Sequence, residues 1–317
     1  MTLYLTESDV ERILTMPDAL RVVEDAFQEM GRHAASNRPR QRVRASTGLL
    51  HIMPAGLPNR GYLGFKYYTA FEPHTRFWFH LIDAHTGDLL AVMQADCLGQ
   101  QRTGAASGVA TKYLARADAS VVGIIGVGWQ AESQLQAVCL TRPIRVIKCY
   151  GRDAARRNAF AQKMGAQLKI QVRAVESAED AARDSDIVIT ATHSRDPVLL
   201  GEWLALGTHV NAVGANRAQA RETDDQVLTR SAFVCVDSLE QAKLEAGDLI
   251  APIERGASSW TRVRELGEIV AGKTSGRIER DDITFFKSLG IALEDVAVGA
   301  WVYERARERR IGREIVL

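Results

Sequence analysis

A glycine-rich segment in the middle of the chain, residues 123–131 with the sequence GIIGVGWQA, constrains the fold more than any other feature. It joins a short hydrophobic run to a helical pattern, and the next hydrophobic run ends at Tyr150. A GxGxxA turn inside a strand–helix–strand unit of roughly 30 residues is typical of dinucleotide binding. Gly126 would form the tight turn, and Gly128 would admit the pyrophosphate at the helix N-terminus. A glycine turn without a ligand is the alternative interpretation.

Short hydrophobic runs alternate with helical stretches through the second half of the chain. The runs are residues 121–126, 144–150, 168–174, 187–192, 209–214 and 233–237. This alternation predicts an α/β fold with a doubly wound, parallel Rossmann sheet. The first half differs, because helical spacing in residues 1–30 and 96–114 encloses β-prone runs and turns in residues 40–90. We expect an antiparallel sheet there, and a last helix over residues 288–310.

The composition excludes several classes of protein. With 317 residues, the chain exceeds the usual single hydrophobic core, so two domains are expected. Forty Lys and Arg residues against thirty-nine Asp and Glu residues give a net charge of +1, which predicts no nucleic-acid partner. The chain has neither an apolar run of membrane-spanning length nor a secretory signal pattern at its start. We therefore expect a cytoplasmic protein without a membrane partner.

The cysteines and histidines show no metal-binding pattern. Cys97, Cys139, Cys149 and Cys235 are widely spaced and form no CxxC pair, which is typical of reduced thiols in a cytoplasmic protein. The seven histidines never approach one another at ligand spacing. The sequence therefore predicts no metal site.

The end of the second predicted strand bears on the choice of nicotinamide cofactor. An acidic residue normally binds the adenosine ribose there, but the chain reads Tyr150-Gly151-Arg152-Asp153. Gly151 leaves space for a 2′-phosphate, and Arg152 and Arg157 supply positive charge. We expect NADP(H) to be preferred, with NAD(H) possible. Asp153 is interpreted as the N-cap of the following helix.

Five motifs occur together in one order. They are Phe65-Lys66-Tyr67, Gln101-Arg102-Thr103-Gly-Ala-Ala-Ser107, the GxGxxA loop with Gln130, Asn211-Ala-Val-Gly214 and Ser288-Leu-Gly-Ile-Ala-Leu-Glu-Asp295. Through them the chain resembles the ornithine cyclodeaminase/μ-crystallin family over essentially its whole length. The resemblance implies an α+β substrate-binding and dimerisation domain at residues 1–115, completed by residues 291–317, and a Rossmann domain at residues 116–290. It also implies a homodimer, which the many aromatic residues of the 40–90 region favour as well.

The resemblance places a group of cations in the substrate site. The substrate-binding set that it implies is Arg42, Lys66, Arg102, Asn216 and Gly290. Arg42 and Arg102 match the family's carboxylate-binding arginines, and Lys66 matches its active-site lysine. Arginine binds a carboxylate bidentately, and a lysine beside two guanidiniums has a lowered pKa that suits proton transfer near neutral pH. The choice of Arg42 over its neighbouring arginines depends on the resemblance.

Asn216 departs from the cyclodeaminase pattern, which has an aspartate at this position. Asn216 cannot act as a base, although its amide can still hold a substrate. We predict that Lys66 and Asn216 are the catalytic residues. Because Asn216 lacks a carboxylate, cyclisation with loss of ammonia is disfavoured. A second departure is the short hairpin at residues 74–78, which predicts an altered pocket wall.

The cofactor-binding set combines the glycine loop, the strand tip and positions implied by the resemblance. Its members are Arg102, Thr103, Gly126, Gly128, Trp129, Gln130, Gly151, Arg152, Arg157, Thr192, Asn211, Ala212, Val213 and Leu289. Several of them follow predicted strands. This agrees with ligand binding at the carboxyl ends of strands in open α/β sheets.

The motifs together predict an oxidoreductase. We expect an NAD(P)H-dependent imino acid reductase or amino acid dehydrogenase, which transfers hydride between nicotinamide and the carbon bearing the nitrogen of a small amino or imino acid. One alternative is an ornithine cyclodeaminase, a lyase that uses bound NAD(P) and releases ammonia. The other is a weakly catalytic protein of crystallin type that binds NADPH and a small ligand.

Overall fold

The computed structural model describes residues 1–71 and 73–316, which form two β-sheets with helices packed around them. The strands, numbered in chain order, are β1 (Thr2–Leu5), β2 (Ser36–Asn37), β3 (Gln41–Arg44), β4 (Gly48–Leu57), β5 (Tyr62–Phe71), β6 (His74–Asp83), β7 (Leu89–Gln94), β8 (Val121–Ile125), β9 (Val146–Tyr150), β10 (Gln171–Ala174), β11 (Ile187–Thr190), β12 (His209–Ala212), β13 (Phe233–Val236), β14 (Val263–Glu265), β15 (Thr284–Lys287) and β16 (Arg313–Ile315). The helices are α1 (Glu7–Ile13), α2 (Met16–Gly31), α3 (Asp96–Leu114), α4 (Trp129–Thr141), α5 (Ala154–Leu168), α6 (Ala178–Ala182), α7 (Asp225–Arg230), α8 (Leu239–Glu245), α9 (Gly247–Glu254), α10 (Leu266–Val270) and α11 (Ala292–Arg309). No helix among the described residues is both long and apolar enough to cross a lipid bilayer.

The first sheet has the strand order β16-β1-β7-β6-β5-β4-β2, with β3 also paired to β4. Strands β4, β5 and β6 are antiparallel neighbours, which confirms the sheet expected in residues 40–90. The expectation that residues 1–30 are entirely helical is wrong at β1. This strand pairs in parallel with β7 and antiparallel with β16, so its partners lie far away in the chain.

The second sheet confirms the predicted doubly wound Rossmann sheet. Its strand order is β10-β9-β8-β11-β12-β15-β13-β14, and every neighbouring pair is parallel. The six predicted strands correspond to β8 through β13. Strands β11 and β12 are buried on both faces, which explains their continuous hydrophobic sequence. The sequence reasoning missed β15, which lies between β12 and β13.

The last helix begins later than expected, at Ala292 rather than residue 288. Gly290 has a φ of +70°, a left-handed conformation that interrupts helical geometry, and Ile291 is extended. Residues 288–290 therefore form a turn at the carboxyl end of β15. Helix α11 then packs across β4, β5 and β6 of the first sheet, so this turn lies where the two sheets approach each other.

Candidate active site

One face of the first sheet carries two of the predicted substrate-binding cations, Arg42 and Lys66. Arg42 pairs with His51 across β3 and β4, and Lys66 pairs with Met53 across β4 and β5. Directly paired residues share a side of the sheet, and side chains alternate along each strand. Arg42 and Lys66 therefore project from the same face. Helix α11 packs on this face and brings Asp295 to Lys66.

Lys66, Arg102, Glu294 and Asp295 form a buried ionic cluster. The Nζ atom of Lys66 lies 2.7 Å from Oδ1 of Asp295, which also accepts a hydrogen bond of 3.0 Å from Nε of Arg102. The Nη1 atom of Arg102 donates to Oε2 of Glu294 at 2.7 Å. All four side chains are almost completely shielded from solvent. The cluster therefore fixes two of the predicted cations with carboxylates from the start of α11.

The pKa values of two groups in this cluster are displaced toward neutral pH. Burial lowers the pKa of Lys66 to about 7, and the positive charges of Arg102 and, to a smaller extent, Arg40 lower it further, while Asp295 opposes the shift. The sequence reasoning named neighbouring guanidiniums as the cause, whereas burial is the larger one. Burial also raises the pKa of Glu294 to about 8 against the opposing charge of Arg102. A lysine of this kind can exchange a proton near neutral pH.

The structure brings Arg42 and Asn216 together. The Nη2 atom of Arg42 donates to the backbone carbonyl oxygen of Asn216 at 2.9 Å, and its Nη1 atom donates to Glu245 at 2.6 Å. Asn216 also borders a cavity of about 580 Å³. The residues that line this cavity are His193, Ser194, Arg195, Gly214, Ala215, Asn216, Arg217, Gln219 and Ala220. The cavity thus lies beyond the carboxyl end of β12, and Asn216 connects its lining to Arg42.

A buried carboxylate, that of Asp237, stabilises the turn at Leu289 and Gly290 through hydrogen bonds to its backbone. The Oδ2 atom of Asp237 accepts hydrogen bonds from the backbone nitrogens of Leu289 at 2.6 Å and Gly290 at 2.8 Å. Burial raises the pKa of Asp237 to about 6, and these backbone hydrogen bonds partly offset the rise. A Cβ atom at Gly290 would collide with the guanidinium of Arg102. The glycine therefore lets the turn pass directly over a predicted substrate-binding arginine.

The glycine loop fits a dinucleotide. Gly126 has a φ of +107°, and a Cβ atom there would collide with the carbonyl of Ala191. At Gly128 a Cβ atom would point into open space, and this residue caps α4 without a side chain. The first backbone N–H groups of α4 are consequently accessible to an anion. Trp129 is 46% exposed at the mouth of the loop, and Gln130 beside it is half-buried.

The strand tip at Gly151 separates the two arginines of the predicted 2′-phosphate site. Arg152 is exposed, whereas Arg157 is buried and pairs with Glu176 while donating to the carbonyl of Gly151 at 3.3 Å. Arg157 therefore shapes the tip, and Arg152 offers the accessible charge. Asp153 accepts a hydrogen bond of 2.9 Å from the backbone nitrogen of Arg156, which confirms it as the N-cap of α5.

The carboxyl ends of β11 and β12 are tied together by Glu222. This buried carboxylate accepts hydrogen bonds from the backbone nitrogen and hydroxyl of Thr192 at 2.6 and 2.8 Å, and from the nitrogen of Gly214 at 2.6 Å. Asn211 is turned inward, because its amide donates to the hydroxyl of Thr111 at 3.0 Å. Asn211 therefore anchors the sheet to α3, and its backbone lies within β12 between β11 and β15.

Three other predicted cofactor residues occupy different environments. Ala212 is fully buried and Val213 is half-buried at the end of β12. The hydroxyl of Thr103 donates to the carbonyl of Gly99 at 2.7 Å, inside α3. Val213 and Thr103 are therefore the half-buried members of this group.

The sequence reasoning missed the carboxylates that organise the site. They are Glu222, Asp237, Glu245, Glu294 and Asp295, all of them buried. Two of these residues stand inside the last of the five motifs, where their acidity could have suggested partners for Lys66 and Arg102. Asp237 directly follows a buried strand, which is a recognisable position for a site residue in a parallel sheet. Glu222 and Glu245 lie in polar segments that give no such signal.

Comparison with known proteins agrees with the resemblance seen in the sequence. The model of the ornithine cyclodeaminase/mu-crystallin family matches residues 1–310. An alanine dehydrogenase of Archaeoglobus fulgidus is 37% identical over 99% of this chain and 98% of its own length. The structure of Thermococcus litoralis Delta(1)-pyrroline-2-carboxylate reductase in complex with NADH and L-proline superposes with a TM-score of 0.95, at 38% identity, covering 99% of this chain and 100% of that one. An archaeal alanine dehydrogenase dimer with bound NAD gives a TM-score of 0.94 at 36% identity, covering 100% and 99% of the two chains. The chain belongs to the ornithine cyclodeaminase/mu-crystallin family.

Proposed function

We propose that this protein is an NAD(P)H-dependent imino acid reductase, or amino acid dehydrogenase in the reverse direction. The observation that carries the proposal is the buried contact of 2.7 Å between Lys66 and Asp295, beside Arg102 and at the meeting point of the two sheets. A lysine whose pKa burial lowers to about 7 suits transfer of a proton to or from a substrate nitrogen. The reductase and dehydrogenase relatives support the same reaction class.

The side chains divide the work of binding and proton transfer. We infer that Arg42 and Arg102 bind the substrate carboxylate, because both match the family's carboxylate-binding arginines and a guanidinium can bind a carboxylate bidentately. Lys66 protonates the nitrogen during reduction, and Asn216 holds the substrate from the second sheet. The nicotinamide, when bound at the glycine loop, supplies or accepts the hydride. The protein contributes position and charge to this step.

The substrate that we propose is a small imino acid, such as pyrroline-2-carboxylate. The relative solved with NADH and L-proline supports this choice. A cyclodeaminase is the second candidate, but Asn216 stands where that branch carries an aspartate, and an amide cannot act as a base. The third candidate, a binding protein of crystallin type, is disfavoured because Lys66 and both arginines are present.

For the cofactor, we propose that NADP(H) is preferred and NAD(H) accepted. Exposed Arg152 next to Gly151 supports the preference, since it can pair with a 2′-phosphate. The relatives solved with NADH and NAD support use of the unphosphorylated cofactor.

We also propose a homodimer that forms through the outer face of the first sheet. The face opposite Lys66 carries Phe65 paired with His80 and Tyr67 paired with Trp78, all half-buried in the single chain. A group of partly exposed aromatic side chains on one sheet face is typical of an interface between subunits. The dimeric archaeal relative supports this assembly.

The two sheets support the domain division that we propose. Strands β1 to β7 and β16 build the first sheet, and β8 to β15 build the second. We therefore assign residues 1–115 and 291–317 to the substrate-binding and dimerisation domain, and residues 116–290 to the Rossmann domain. All four cysteines are unpaired. Since burial raises the pKa of Cys149 to about 11, we propose unreactive thiols in a reducing, cytoplasmic setting.

A substrate panel tests the proposed function. The purified protein is incubated with NADPH or NADH and pyrroline-2-carboxylate, piperideine-2-carboxylate or pyruvate with ammonia, and separately with ornithine and NAD(P), while cofactor absorbance and ammonia are followed together. We expect oxidation of the cofactor with at least one cyclic imino acid. Conversion of ornithine to proline with ammonia release, at a rate matching the best reduction, would instead favour the lyase.

A further inference from the structure

Glu245, the last residue of α8, connects the part of the chain that forms the second sheet to Arg42 of β3 and to Arg40 just before that strand. Only 2% of its side chain is exposed. Its Oε1 atom accepts from Nη1 of Arg42 at 2.6 Å, and its Oε2 atom accepts from Nη1 of Arg40 at 3.2 Å. The Oε2 atom also accepts from Nε2 of Gln241 at 3.0 Å. Both carboxylate oxygens are thus engaged, and one group sets the positions of two arginines.

The guanidinium of Arg40 forms its contacts with other groups of the protein. Its Nη2 atom donates to the carbonyl oxygens of Leu289 at 2.8 Å and Gly290 at 3.0 Å, in addition to its bond to Glu245. Its Nε atom lies 3.4 Å from the sulfur of Met53. Every nitrogen of this guanidinium contacts a protein atom, and only 3% of the side chain is exposed, so little of it is available to a substrate. Arg40 therefore has a structural role in the site.

Arg42 retains capacity for a ligand. Its side chain is 27% exposed, against 3% for that of Arg40. Its Nε atom is buried without a hydrogen-bond partner in the described part of the chain. Two guanidiniums share the single carboxylate of Glu245, so these three side chains together carry one excess positive charge. An anion such as a carboxylate matches that excess, and Arg42 is the partly accessible group that can receive it.

We propose that Glu245 is a positioning residue, which holds Arg42 in the orientation that binds the substrate carboxylate. This inference rests on the proposed function, in which Arg42 is a carboxylate ligand. Glu245 acts through Arg42 and does not itself bind the substrate. Through Arg40 it also links Arg42 to the turn at Leu289 and Gly290, so the arginine and the turn keep a fixed relation to each other.

The first test is Glu245→Gln, which keeps the size of the side chain and removes its charge. We expect KM for pyrroline-2-carboxylate to rise by about 10- to 100-fold with kcat within about threefold of wild type, since a lost ground-state contact appears mainly in KM. The Kd for NADH, measured by fluorescence, is expected to stay unchanged. A KM within about threefold of wild type, or a joint loss of kcat and NADH binding, would overturn the proposal.

A second variant keeps the proposal testable if Glu245→Gln does not fold. Glu245→Gln leaves two guanidiniums without a buried carboxylate, whereas Glu245→Asp keeps the charge and shortens the reach. For Glu245→Asp we expect a smaller rise in KM and a Tm close to that of wild type. A matched control is Asp186→Asn, because Asp186 pairs with Arg116 and accepts from the nitrogen of Ser120 at the opposite end of the second sheet. We expect no change in KM for this control.

A double-mutant comparison separates positioning from general structural support. If Glu245 acts through Arg42, the combined variant Arg42→Gln/Glu245→Gln has the KM of Arg42→Gln alone, within about threefold. Effects that multiply would show that Glu245 acts independently of Arg42, and the proposal would be wrong.

Binding of L-proline distinguishes failure of this inference from failure of the proposed function. Calorimetry measures the affinity of the NADH complex for L-proline as a carboxylate probe, in wild type and in Glu245→Gln. Binding and turnover by wild type, together with equal L-proline affinity in the variant, would contradict the positioning role and leave the reductase standing. If wild type neither binds L-proline nor reduces any imino acid, the proposed function and the inference fall together.

Discussion

The ammonium of Lys66 lies 2.7 Å from the carboxylate of Asp295, although 229 positions separate the two residues in the chain. Lys66 comes from β5 of the first sheet, and Asp295 comes from the first turn of α11. Asp295 also binds Arg102 from α3, so one buried carboxylate joins two of the predicted substrate-site cations. The position of the proton-transfer group therefore depends on the helix that follows the Rossmann sheet.

Replacing Lys66 with methionine tests its role as the proton donor. We expect Lys66→Met to reduce turnover by about 10²- to 10⁴-fold, the usual contribution of general acid–base catalysis. The Kd for NADPH is expected to stay near that of wild type, because Lys66 lies on the first sheet and the glycine loop belongs to the second. Steady-state kinetics and cofactor titration check this prediction, and loss of cofactor binding would mark Lys66 as structural.

Asp295→Asn tests the electrostatic coupling through the pH profile. Reduction requires protonated Lys66, so the rate should fall as the pH rises through its pKa of about 7. Asp295 raises that pKa, so removing its charge lowers the pKa. We expect the falling limb to move to lower pH by about one unit or more. The matched control is Glu304→Gln on the same helix, whose carboxylate accepts from the hydroxyl of Tyr62 at 2.9 Å. A profile of Asp295→Asn that matches that of the control would contradict the coupling.

The sequence is most informative where one short segment contains the whole signal. The glycine loop predicted the βαβ unit because its turn, its helix start and its neighbouring strand are contiguous. Strand β1 escaped prediction because its partners β7 and β16 lie at distant places in the chain. Its four residues are too few to show a strand pattern, and the helical spacing that follows dominated the prediction.

The residues of the candidate site likewise divide into those that the sequence predicts and those that only the structure reveals. Lys66 and Arg102 were found through motifs and Arg42 through the family resemblance, but the acids that hold these three side chains come from other elements, and their proximity is visible only in three dimensions. Arg157 is an example of the opposite kind. Its position beside the strand tip predicted a contact with the 2′-phosphate of the cofactor, whereas the structure pairs it with Glu176. Sequence position alone cannot tell an exposed guanidinium from one already engaged.

Arg152→Ala tests the preference for NADP(H). We expect NADPH binding to weaken by about 10- to 100-fold, in line with about 1.5 to 3 kcal/mol for a hydrogen bond to a charged group, and NADH binding to change little. The control is Arg156→Ala, which removes an exposed arginine from the following helix. Equal losses for both cofactors with Arg152→Ala, or tighter binding of NADH than NADPH by wild type, would refute the preference.

Light scattering tests the dimer. The chain mass is 34.9 kDa, and we expect wild type at micromolar concentration to show twice that mass. Trp78→Glu places a charge in the aromatic outer face and is expected to yield monomer. Leu140→Glu alters an exposed hydrophobic residue on α4 and is expected to leave the dimer intact. A monomeric wild type, or a dimeric Trp78→Glu, would contradict the proposed interface.

The path of the hydride gives the most direct test of the proposed reaction. Pyrroline-2-carboxylate is reduced with NADH that carries deuterium at both C4 positions, and the product is analysed by mass spectrometry and NMR. We expect proline with one deuterium at its α-carbon and one NADH oxidised for each proline formed. Failure to label proline, together with proline and ammonia produced from ornithine without net oxidation of NADH, would contradict the reductase and establish the lyase.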